Sequence, residues 1–351
     1  MKILVTCPCL KLLGGVANHY IGLRPYWAEN VKYQEIGKRN NRKGNGKYWL
    51  PWDIIIFLKN IFVFRPDCIL FNPSIGLSAL RRDFLLQRIA KFFRFNTAIF
   101  IHGFDLKNFE CINHKWIKEN LNRASCVFVL AYDFKNRLQK IGVTLPILLA
   151  TTKVDDRMVE DFDVKLRDGK SGNLLFLARV EKAKGIYETL DVFKILKKDY
   201  PQIKLQIVGD GSELKNVIRK VKNDNIKDII ISGRLTGKDL IDAYKNALLL
   251  LLLSSHGEGM PTTVLEAMAF GLPVITRPVG GLVDFFENGR MGLIDETLDP
   301  NNIANGIRPY LDNPQKIKET AIYNHEYATR HFMASKVSAY IESSLKNLLK
   351  P

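Results

Sequence analysis

Six consecutive leucines, Leu248–Leu253, place the tightest limit on how this 351-residue chain can fold. The run is too short to cross a bilayer, which takes about 20 apolar residues, and too apolar for an exposed strand. A continuous apolar run of this kind is typical of a strand that is buried on both faces of a parallel sheet. Because parallel strands need crossover connections that are usually helical, the run predicts an α/β fold.

Short apolar runs alternate with longer amphipathic segments along the whole chain, which is the pattern of parallel sheets flanked by helices. In the first half the predicted elements are a helix over Asp83–Phe93 and strands at Ile3–Thr6, Cys68–Phe71, Ala98–Ile101 and Cys126–Leu130. After the charge-rich segment Thr151–Gly172 the pattern restarts with predicted strands at Asn173–Ala178, Lys204–Val208, Asp228–Ser232 and Leu272–Thr276. The helices predicted in this part are Gly185–Lys198, Ser212–Lys222, Pro261–Phe270 and Lys336–Leu349.

A chain of this length suits two domains, each with its own core, better than one. The restart therefore predicts two Rossmann-like, doubly wound α/β domains that face a central cleft. We place the N-terminal domain at residues 1–160, the C-terminal domain at 161–330 and a C-terminal helix at 331–351. We expect that helix to pack back on the N-terminal domain.

No stretch reaches about 18 uncharged apolar residues, so the sequence predicts no membrane-spanning helix. The segment Met1–Thr6 reads as a first strand rather than as a signal peptide, and we expect the chain to remain in the cytoplasm.

The five cysteines are an odd number, and Cys7-Pro8-Cys9 lacks the spacing of a CxxC pair. Buried thiols are the expected state of all five.

The net charge of +16 is unevenly placed along the chain. Residues 1–165 hold 26 Lys and Arg against 14 Asp and Glu, whereas the remainder holds 26 against 22. A basic first half suggests an anionic neighbour, which could be a phospholipid surface, a lipid-phosphate acceptor or a nucleic acid. Charge alone does not choose among the three.

The loops that follow the predicted strands are the first places to look for a ligand, because open parallel sheets bind ligands at the carboxyl ends of their strands. Arg179 follows the first strand of the second domain and Lys184 begins the next helix, so both cations can converge on a diphosphate. The alternative is that Glu181 pairs with one of them on a solvated turn. Gly14-Gly15 and Gly209-Asp210-Gly211 also follow strands, and a ligand or a tight turn explains them about equally well.

Two glutamates follow the leucine run. Pro261 suits the first turn of a helix, and Gly259 lets the preceding loop bring backbone N–H groups against a ligand. Glu258 lies just before that helix and Glu266 about 1.5 turns inside it. The apolar neighbours of Glu266 predict a buried carboxylate, which would be costly without a partner.

These residues lie in a segment that resembles a known family. From Glu258 the chain reads Glu-Gly-Met-Pro-Thr-Thr-Val-Leu-Glu-Ala-Met-Ala-Phe-Gly-Leu-Pro-Val-Ile, which closely resembles the signature of the retaining group 1 glycosyltransferases, family 4, with the GT-B fold. Further matches fall in the family's order over nearly the whole chain, namely Gly14-Gly15-Val16, His102-Gly103-Phe104-Asp105, Arg179 with Lys184, Gly209-Asp210-Gly211, and Asn288-Gly289 with Gly292. One departure is the domain junction, where Thr151–Asp155 stands in place of the family's asparagine-glycine turn.

The resemblance implies roles for eleven residues, and the position of Leu235 after a predicted strand suggests a twelfth. Arg179 and Lys184 would hold the donor diphosphate, Glu266 the ribose and Glu258 the transferred sugar, with His102 close to that sugar. The catalytic set would be His102, Glu258, Arg179 and Lys184. Further contacts to the donor would come from Gly15, Gly209, Gly259, Met260, Pro261 and Thr262, and Leu235 is expected to contact the base.

The implied activity is retaining transfer of a hexose-type sugar from a nucleotide-diphosphate sugar to a glycan or lipid-linked acceptor, in the synthesis of surface polysaccharide or glycolipid. The resemblance implies no metal and no cofactor, since the nucleotide sugar is a co-substrate. The N-terminal domain would be the acceptor side and the C-terminal domain the donor side. The expected partners are the donor and the acceptor, and no nucleic acid.

A basic run beside aromatic residues suggests a further partner. Lys38–Lys47 is followed by Tyr48-Trp49-Leu50-Pro51-Trp52, which predicts a patch that docks on the inner face of an anionic membrane, with Arg81-Arg82 on the same face. The alternative is a solvated loop with a packed aromatic end.

Two other functions stay open at this point. A nucleotide-sugar epimerase of similar fold would turn over the donor without an acceptor. A basic nucleic-acid-binding protein is suggested only by the net charge.

Overall fold

The computed structural model describes residues 1–12, 14–38, 49–169, 172–255, 257 and 259–349. The described residues form two compact units. The first unit comprises Met1–Asp155, Gly257–Met260 and Met333–Pro351, and the second comprises Asp156–His256 and Pro261–Phe332. Each unit holds a six-stranded sheet surrounded by helices, which confirms the predicted α/β class with two Rossmann-like domains.

The first unit alternates strands and helices. Its strands are β1 (Lys2–Cys7), β2 (Asn30–Glu35), β3 (Cys68–Phe71), β4 (Asn96–Ile101), β5 (Cys126–Val129) and β6 (Ile147–Leu149). Its helices up to the end of this sheet are α1 (Gly15–Leu23), α2 (Leu50–Phe64), α3 (Leu77–Phe92), α4 (Leu106–Cys111), α5 (His114–Leu121) and α6 (Tyr132–Lys140). All neighbouring strands are parallel in the order β2-β1-β3-β4-β5-β6, so the winding direction reverses between β1 and β3.

The second unit has the same general plan with another strand order. Its strands are β7 (Asn173–Leu177), β8 (Lys204–Val208), β9 (Ile229–Gly233), β10 (Leu249–Leu252), β11 (Val274–Thr276) and β12 (Gly292–Ile294). Its helices are α7 (Ile186–Asp199), α8 (Leu214–Asn223), α9 (Gly237–Asn246), α10 (Thr262–Ala269), α11 (Pro300–Asp312) and α12 (Pro314–His331). The order is β12-β11-β10-β7-β8-β9, again all parallel.

The leucine run forms the centre of this second sheet. All four residues of β10 are buried, and the strand lies between β7 and β11. The prediction of a strand covered on both faces is therefore confirmed.

Helix α13 (Ala334–Leu349) closes the chain and belongs to the first unit. The Glu342 side chain accepts a hydrogen bond from the backbone N–H of Glu29 over 2.8 Å, and Lys346 forms an ion pair with the Glu29 carboxylate. The Ser338 hydroxyl donates to the carbonyl of Tyr26 over 3.0 Å. These contacts fix α13 to the segment between α1 and β2.

Strand β2 is an element that the sequence pattern does not predict. Only Gln34 of its six residues is buried, because β2 lies at the edge of the sheet and pairs with β1 alone. The Gln34 side chain donates to the carbonyl of Asp53 and accepts from Asn60, each over 3.0 Å. Polar contacts to α2 therefore replace the apolar alternation that would have marked the strand.

Arg167 fastens the polar segment Thr151–Gly172 to the second unit. Its guanidinium donates to the carbonyls of Phe270, Ala247 and Tyr244 over 2.6 to 2.7 Å. Burial lowers the pKa of Arg167 to about 10, and the group still carries its charge at neutral pH.

The cysteine prediction is correct for four residues and wrong for one. Cys7, Cys9, Cys68 and Cys126 are buried, whereas Cys111 is exposed because it is the last residue of the short surface helix α4.

Along the described ranges, no helix is both long and apolar enough to cross a membrane.

Candidate functional site

The carboxyl ends of β7 and β10 mark the candidate site of the second unit. The two strands are hydrogen-bonded neighbours, with Leu249 opposite Leu174, yet the chain winds away from them in opposite directions. The loops that follow such a strand pair separate and leave a crevice, which is where open α/β sheets bind their ligands. The loop after β7 carries Arg179 and Lys184, and α10 follows β10.

The two cations of the loop after β7 differ in exposure. Arg179 is exposed and its guanidinium donates to the Glu181 carboxylate over 2.8 Å, so the ion pair considered as an alternative is present. A surface pair of this kind contributes about 0–1 kcal/mol, so an anionic ligand can compete for the guanidinium. Lys184 is only 8% exposed and ends a single 3₁₀ turn.

Gly185 locks this loop against the chain that leaves β10. Its φ of 76° is in the left-handed region, and a Cβ at this position would overlap the carbonyl of Leu253. The N–H of Ser255 donates to the carbonyl of Ala183 over 2.9 Å. The backbone next to Lys184 is therefore held against the residues that follow β10.

The turn after β8 packs under the same loop. Gly209 has a φ of 144°, and a Cβ there would overlap the carbonyl of Ala178. The N–H of Val180 donates to the carbonyl of Asp210 over 3.1 Å. Packing of two loops thus requires the glycine at Gly209, and its predicted contact to a ligand remains a prediction.

Helix α10 presents its N-terminus beyond β10. Its N-cap residue is Pro261, whose side chain makes no capping hydrogen bond in the described part of the chain. The first-turn N–H groups begin at Thr262, and N–H groups at a helix N-terminus can bind an anion. Glu258 lies outside the described residues, so its predicted role stays a prediction.

Glu266 is buried in α10 and has the partner that its burial demands. Its carboxylate accepts a hydrogen bond from the hydroxyl of Tyr244 in α9 over 2.8 Å. Burial and the nearby negative charge of Glu266 raise the pKa of Tyr244 well above its ordinary value, so the phenol stays protonated and can only donate to the carboxylate. The ring of Tyr244 stacks on Phe270 with centroids 5.1 Å apart, which fixes the direction of the hydroxyl.

In the first unit, a buried polar cluster lies where β1, β3 and β4 end. The side-chain oxygen of Asn72 accepts hydrogen bonds from Tyr20 and from Nε2 of His102, the latter over 3.0 Å. The amide nitrogen of Asn72 donates to the carbonyls of Thr6 and Leu70. Because these contacts fix the amide orientation, Nε2 of His102 must carry the proton.

His102 is held as a neutral imidazole. Its ring stacks on Phe100 with centroids 4.0 Å apart, and burial lowers its pKa to about 3. The neighbouring ring of His19 lies 4.9 Å from that of His102, and neither of its nitrogens has a hydrogen-bond partner within the described structure. Burial is the largest cause that lowers the pKa of His19 well below its ordinary value. With Nε2 occupied, the ring of His102 offers Nδ1 as an acceptor.

The glycines of the first unit differ in whether packing leaves room for a side chain. A Cβ at Gly14 or at Gly15 would meet nothing within 4 Å, so packing does not require either glycine at the start of α1. A Cβ at Gly259 would overlap the carbonyl of His102. The hydroxyl of Thr152 donates to the carbonyl of Met260 over 3.3 Å, so this short segment is packed on the first unit.

Three polar residues of these sites, Tyr244, Asn72 and His19, were not predicted as site residues from the sequence. Tyr244 and Asn72 meet partners 22 and 30 residues away, and no local pattern signals either contact. His19 does have a signal, since it follows the glycine pair at the start of α1 by one helical turn. Leu235 is half-buried just after β9, and its predicted contact to a base stays a prediction.

Comparison with known proteins finds a family match in the second unit and longer matches to individual proteins. Residues 158–327 match the family model "Glycosyl transferases group 1". The capsular polysaccharide biosynthesis glycosyltransferase CapM of Staphylococcus aureus is 27% identical over 248 residues, which are 69% of this chain and 60% of that protein. The matches to CapM and two further curated relatives cover 60%, 42% and 44% of their lengths, so the chain spans about half of the relatives it matches.

Two solved structures share the fold along nearly the whole chain. The Anabaena protein HepE, in complex with UDP, has a TM-score of 0.75 at 18% identity and is matched over 99% of this chain and 100% of its own. Sucrose-phosphate synthase from Thermosynechococcus elongatus has a TM-score of 0.76 at 17% identity, with 99% of each chain covered. At these identities the likeness speaks for the fold, and it confirms the GT-B class.

Proposed function

We propose that this chain is a group 1 glycosyltransferase that transfers a hexose-type sugar from a nucleotide-diphosphate donor to a glycan or lipid-linked acceptor. The family match over residues 158–327 and the similarity to CapM support this proposal. CapM is named for capsular polysaccharide biosynthesis, and HepE has been crystallised with UDP and glucose, which supports a nucleotide-sugar donor and a role in polysaccharide synthesis. Family 4 membership, retention of anomeric configuration and independence from metal are parts of the same proposal.

The observation that carries the proposal is the pair of cations at the switch point of the second sheet. Lys184 is buried in a loop that Gly185 locks to the end of β10, and Arg179 is held only by an exposed ion pair. A lysine and an available guanidinium in one loop suit a diphosphate, which takes a point charge and a planar fork of donors. The open N-terminus of α10 adds a third source of positive potential.

These groups act on the bond that must break. Transfer forms a bond between the acceptor oxygen and the anomeric carbon, and it breaks the bond from that carbon to the diphosphate. Negative charge develops on the departing phosphate, where Arg179, Lys184 and the N–H groups of α10 stabilise it. In the proposed same-face reaction the departing phosphate oxygen takes the proton of the incoming hydroxyl, and the configuration is retained.

The remaining assignments complete the donor and acceptor sides of the proposal. Glu266 binds the ribose hydroxyls with the carboxylate that Tyr244 orients, and Glu258 binds the transferred sugar. Neutral His102 serves the same sugar, with the unprotonated Nδ1 accepting a hydrogen bond from a sugar hydroxyl.

A donor panel tests the proposed activity. We expect one class of nucleotide sugar, among UDP-, GDP- and ADP-sugars, to raise the melting temperature of the protein, because a ligand that binds only the folded state stabilises it. Arg179→Ala and Glu258→Ala variants should lose that shift and the subsequent transfer or hydrolysis. The proposal fails if no nucleotide sugar stabilises the wild type, or if the donor is epimerised without an acceptor.

Replacing Tyr244 with phenylalanine should weaken nucleotide binding about tenfold, a cost of about 1.4 kcal/mol, because the carboxylate of Glu266 loses the hydrogen bond that orients it. Isothermal titration with the nucleoside diphosphate measures the change. A deoxyribose nucleotide, which lacks one hydroxyl, should lose less affinity than the ribose form.

Tyr310→Phe is the matched control for this prediction. Tyr310 is also a buried tyrosine of the second unit, but its hydroxyl donates to the backbone carbonyl of Gly289 over 3.4 Å. Equal losses of affinity in the two variants, or none for Tyr244→Phe, would show that the phenol does not orient a ribose-binding carboxylate.

A further inference from the structure

Helix α2 turns an apolar face to solvent. Trp52, Ile55, Phe62 and Val63 are all exposed, with 72% of Val63 accessible. Their spacing of three, seven and one residues puts them on one side of the helix, along roughly 16 Å of its axis. The buried residues of the opposite side are Asp53, Phe57, Asn60 and Ile61.

The end of helix α3 extends this surface. Phe92 is the most exposed of its aromatic residues, with 80% of the side chain accessible, and Phe93 beside it is also exposed. The rings of Phe62 and Phe93 meet edge to face with centroids 4.9 Å apart, and those of Phe92 and Phe93 are 5.1 Å apart. The six residues therefore form one surface, which we call the α2–α3 face.

The charges around this face are almost all positive. Of the three acids between residues 49 and 95, all of them described, Asp53 and Asp83 are buried and only Asp67 is exposed. The cations of the same segment lie at exposed or half-buried positions and are Lys59, Arg65, Arg81, Arg82, Arg88, Lys91 and Arg94. Lys59 lies within the apolar stripe itself, between Ile55 and Phe62.

We propose that the α2–α3 face docks this protein on an anionic lipid bilayer. Aromatic and aliphatic side chains would enter the boundary of head groups and acyl chains, while the surrounding cations meet lipid phosphates. A second copy of the chain does not suit the face, because two surfaces with this charge repel each other. The sequence places the basic run Lys38–Lys47 directly before α2, but residues 39–48 lie outside the described structure and the inference does not depend on them.

This docking rests on the α2–α3 face alone and extends the proposed function without relying on donor chemistry. A bilayer surface would bring the first unit to an acceptor that is anchored in lipid. Membrane binding and donor binding can therefore succeed or fail independently.

Vesicle flotation with the full chain tests the proposal. The wild type should float with phosphatidylcholine vesicles that contain phosphatidylglycerol, much less with phosphatidylcholine alone, and less at high salt. A Val63→Ser, Phe92→Ser double variant should bind at least about tenfold more weakly, because two side chains lose their burial in the interface. Lys59→Glu should weaken binding to the anionic vesicles only.

Leu166→Ser is the matched control, since Leu166 lies in the second unit and is also 80% exposed. It should float like the wild type, and all variants should keep the wild-type melting temperature and nucleotide affinity. The proposal is overturned if the wild type does not float, or if the double variant floats equally well. It is also overturned if sedimentation shows a wild-type dimer that the double variant abolishes, because the face would then be an interface between copies.

Discussion

Replacing Lys184 with methionine is expected to lower the transfer rate about 100-fold, the usual cost of removing one preorganised group that stabilises charge in a transition state. Methionine keeps most of the apolar volume of the buried side chain and removes only the ammonium. The departing diphosphate then develops its charge beside Arg179 and the N-terminus of α10 alone. Steady-state kinetics with the donor found in the panel would measure the loss.

Lys182→Met is the control for this variant. Lys182 lies in the same 3₁₀ turn as Lys184, but its side chain is exposed. We expect its rate to stay near that of the wild type. Similar losses in both variants would point to loss of general positive charge, and an unchanged Lys184→Met variant would remove the lysine from the proposed donor site.

The second large effect concerns stability. Gly209→Ala should lower the free energy of unfolding of the second unit by about 4 kcal/mol or more, since the methyl group adds both backbone strain and a steric overlap. At a φ of 144°, an alanine would drive its Cβ into the carbonyl of Ala178. Neither atom belongs to a flexible side chain, so the turns after β7 and β8 would have to separate.

Gly233→Ala separates the two causes. Gly233 also has a positive φ, 64°, but a Cβ there meets nothing within 4 Å. We expect a cost of about 1 kcal/mol from the backbone alone. Urea unfolding followed by circular dichroism gives the comparison, and equal stability of the two variants would contradict the packing role of Gly209.

Tryptophan fluorescence adds an internal reference to this experiment. All four tryptophans belong to the first unit, namely Trp27, Trp49, Trp52 and Trp116. Their signal reports unfolding of that unit, whereas circular dichroism reports both. Hydrogen exchange of the β8 and β9 amides would locate the loss in the second unit.

The central strands could be predicted from the sequence because a strand buried on both faces consists of consecutive apolar residues. Continuous apolar runs gave β3 and β10 with bounds within one residue of those observed. The same reasoning could not find β2, whose single buried residue is a glutamine. An edge strand stabilised by polar contacts shows neither the alternation nor the apolar run on which such prediction depends.

The charged residues of the candidate site could be predicted from the sequence, but the residues that hydrogen-bond to them could not. The positions of Arg179 and Lys184 follow from where β7 ends, and the burial of Glu266 follows from its apolar neighbours. The contacts of Tyr244 and Asn72 depend on how distant elements pack, which no local spacing records.

Glycines show most clearly that contacts between distant elements cannot be predicted from local sequence. In the sequence, Gly15 and Gly209 are equivalent, since each belongs to a glycine turn after a strand. In the structure, packing requires a glycine at Gly209 and leaves open space at Gly15. The unexplained glycine is the better candidate for contact with a ligand, because no internal contact accounts for it.

The division of the chain has a consequence for how it folds during synthesis. The first unit begins at Met1, but it also takes up Gly257–Met260 and the segment from Met333 that contains α13. A ribosome delivers chains from the N-terminus, and domains generally fold as they emerge. The first sheet would thus leave the exit tunnel early and wait for its last helix until the whole second unit has been translated. Translation of the second unit therefore ends at Phe332, before the last segment of the first unit is translated.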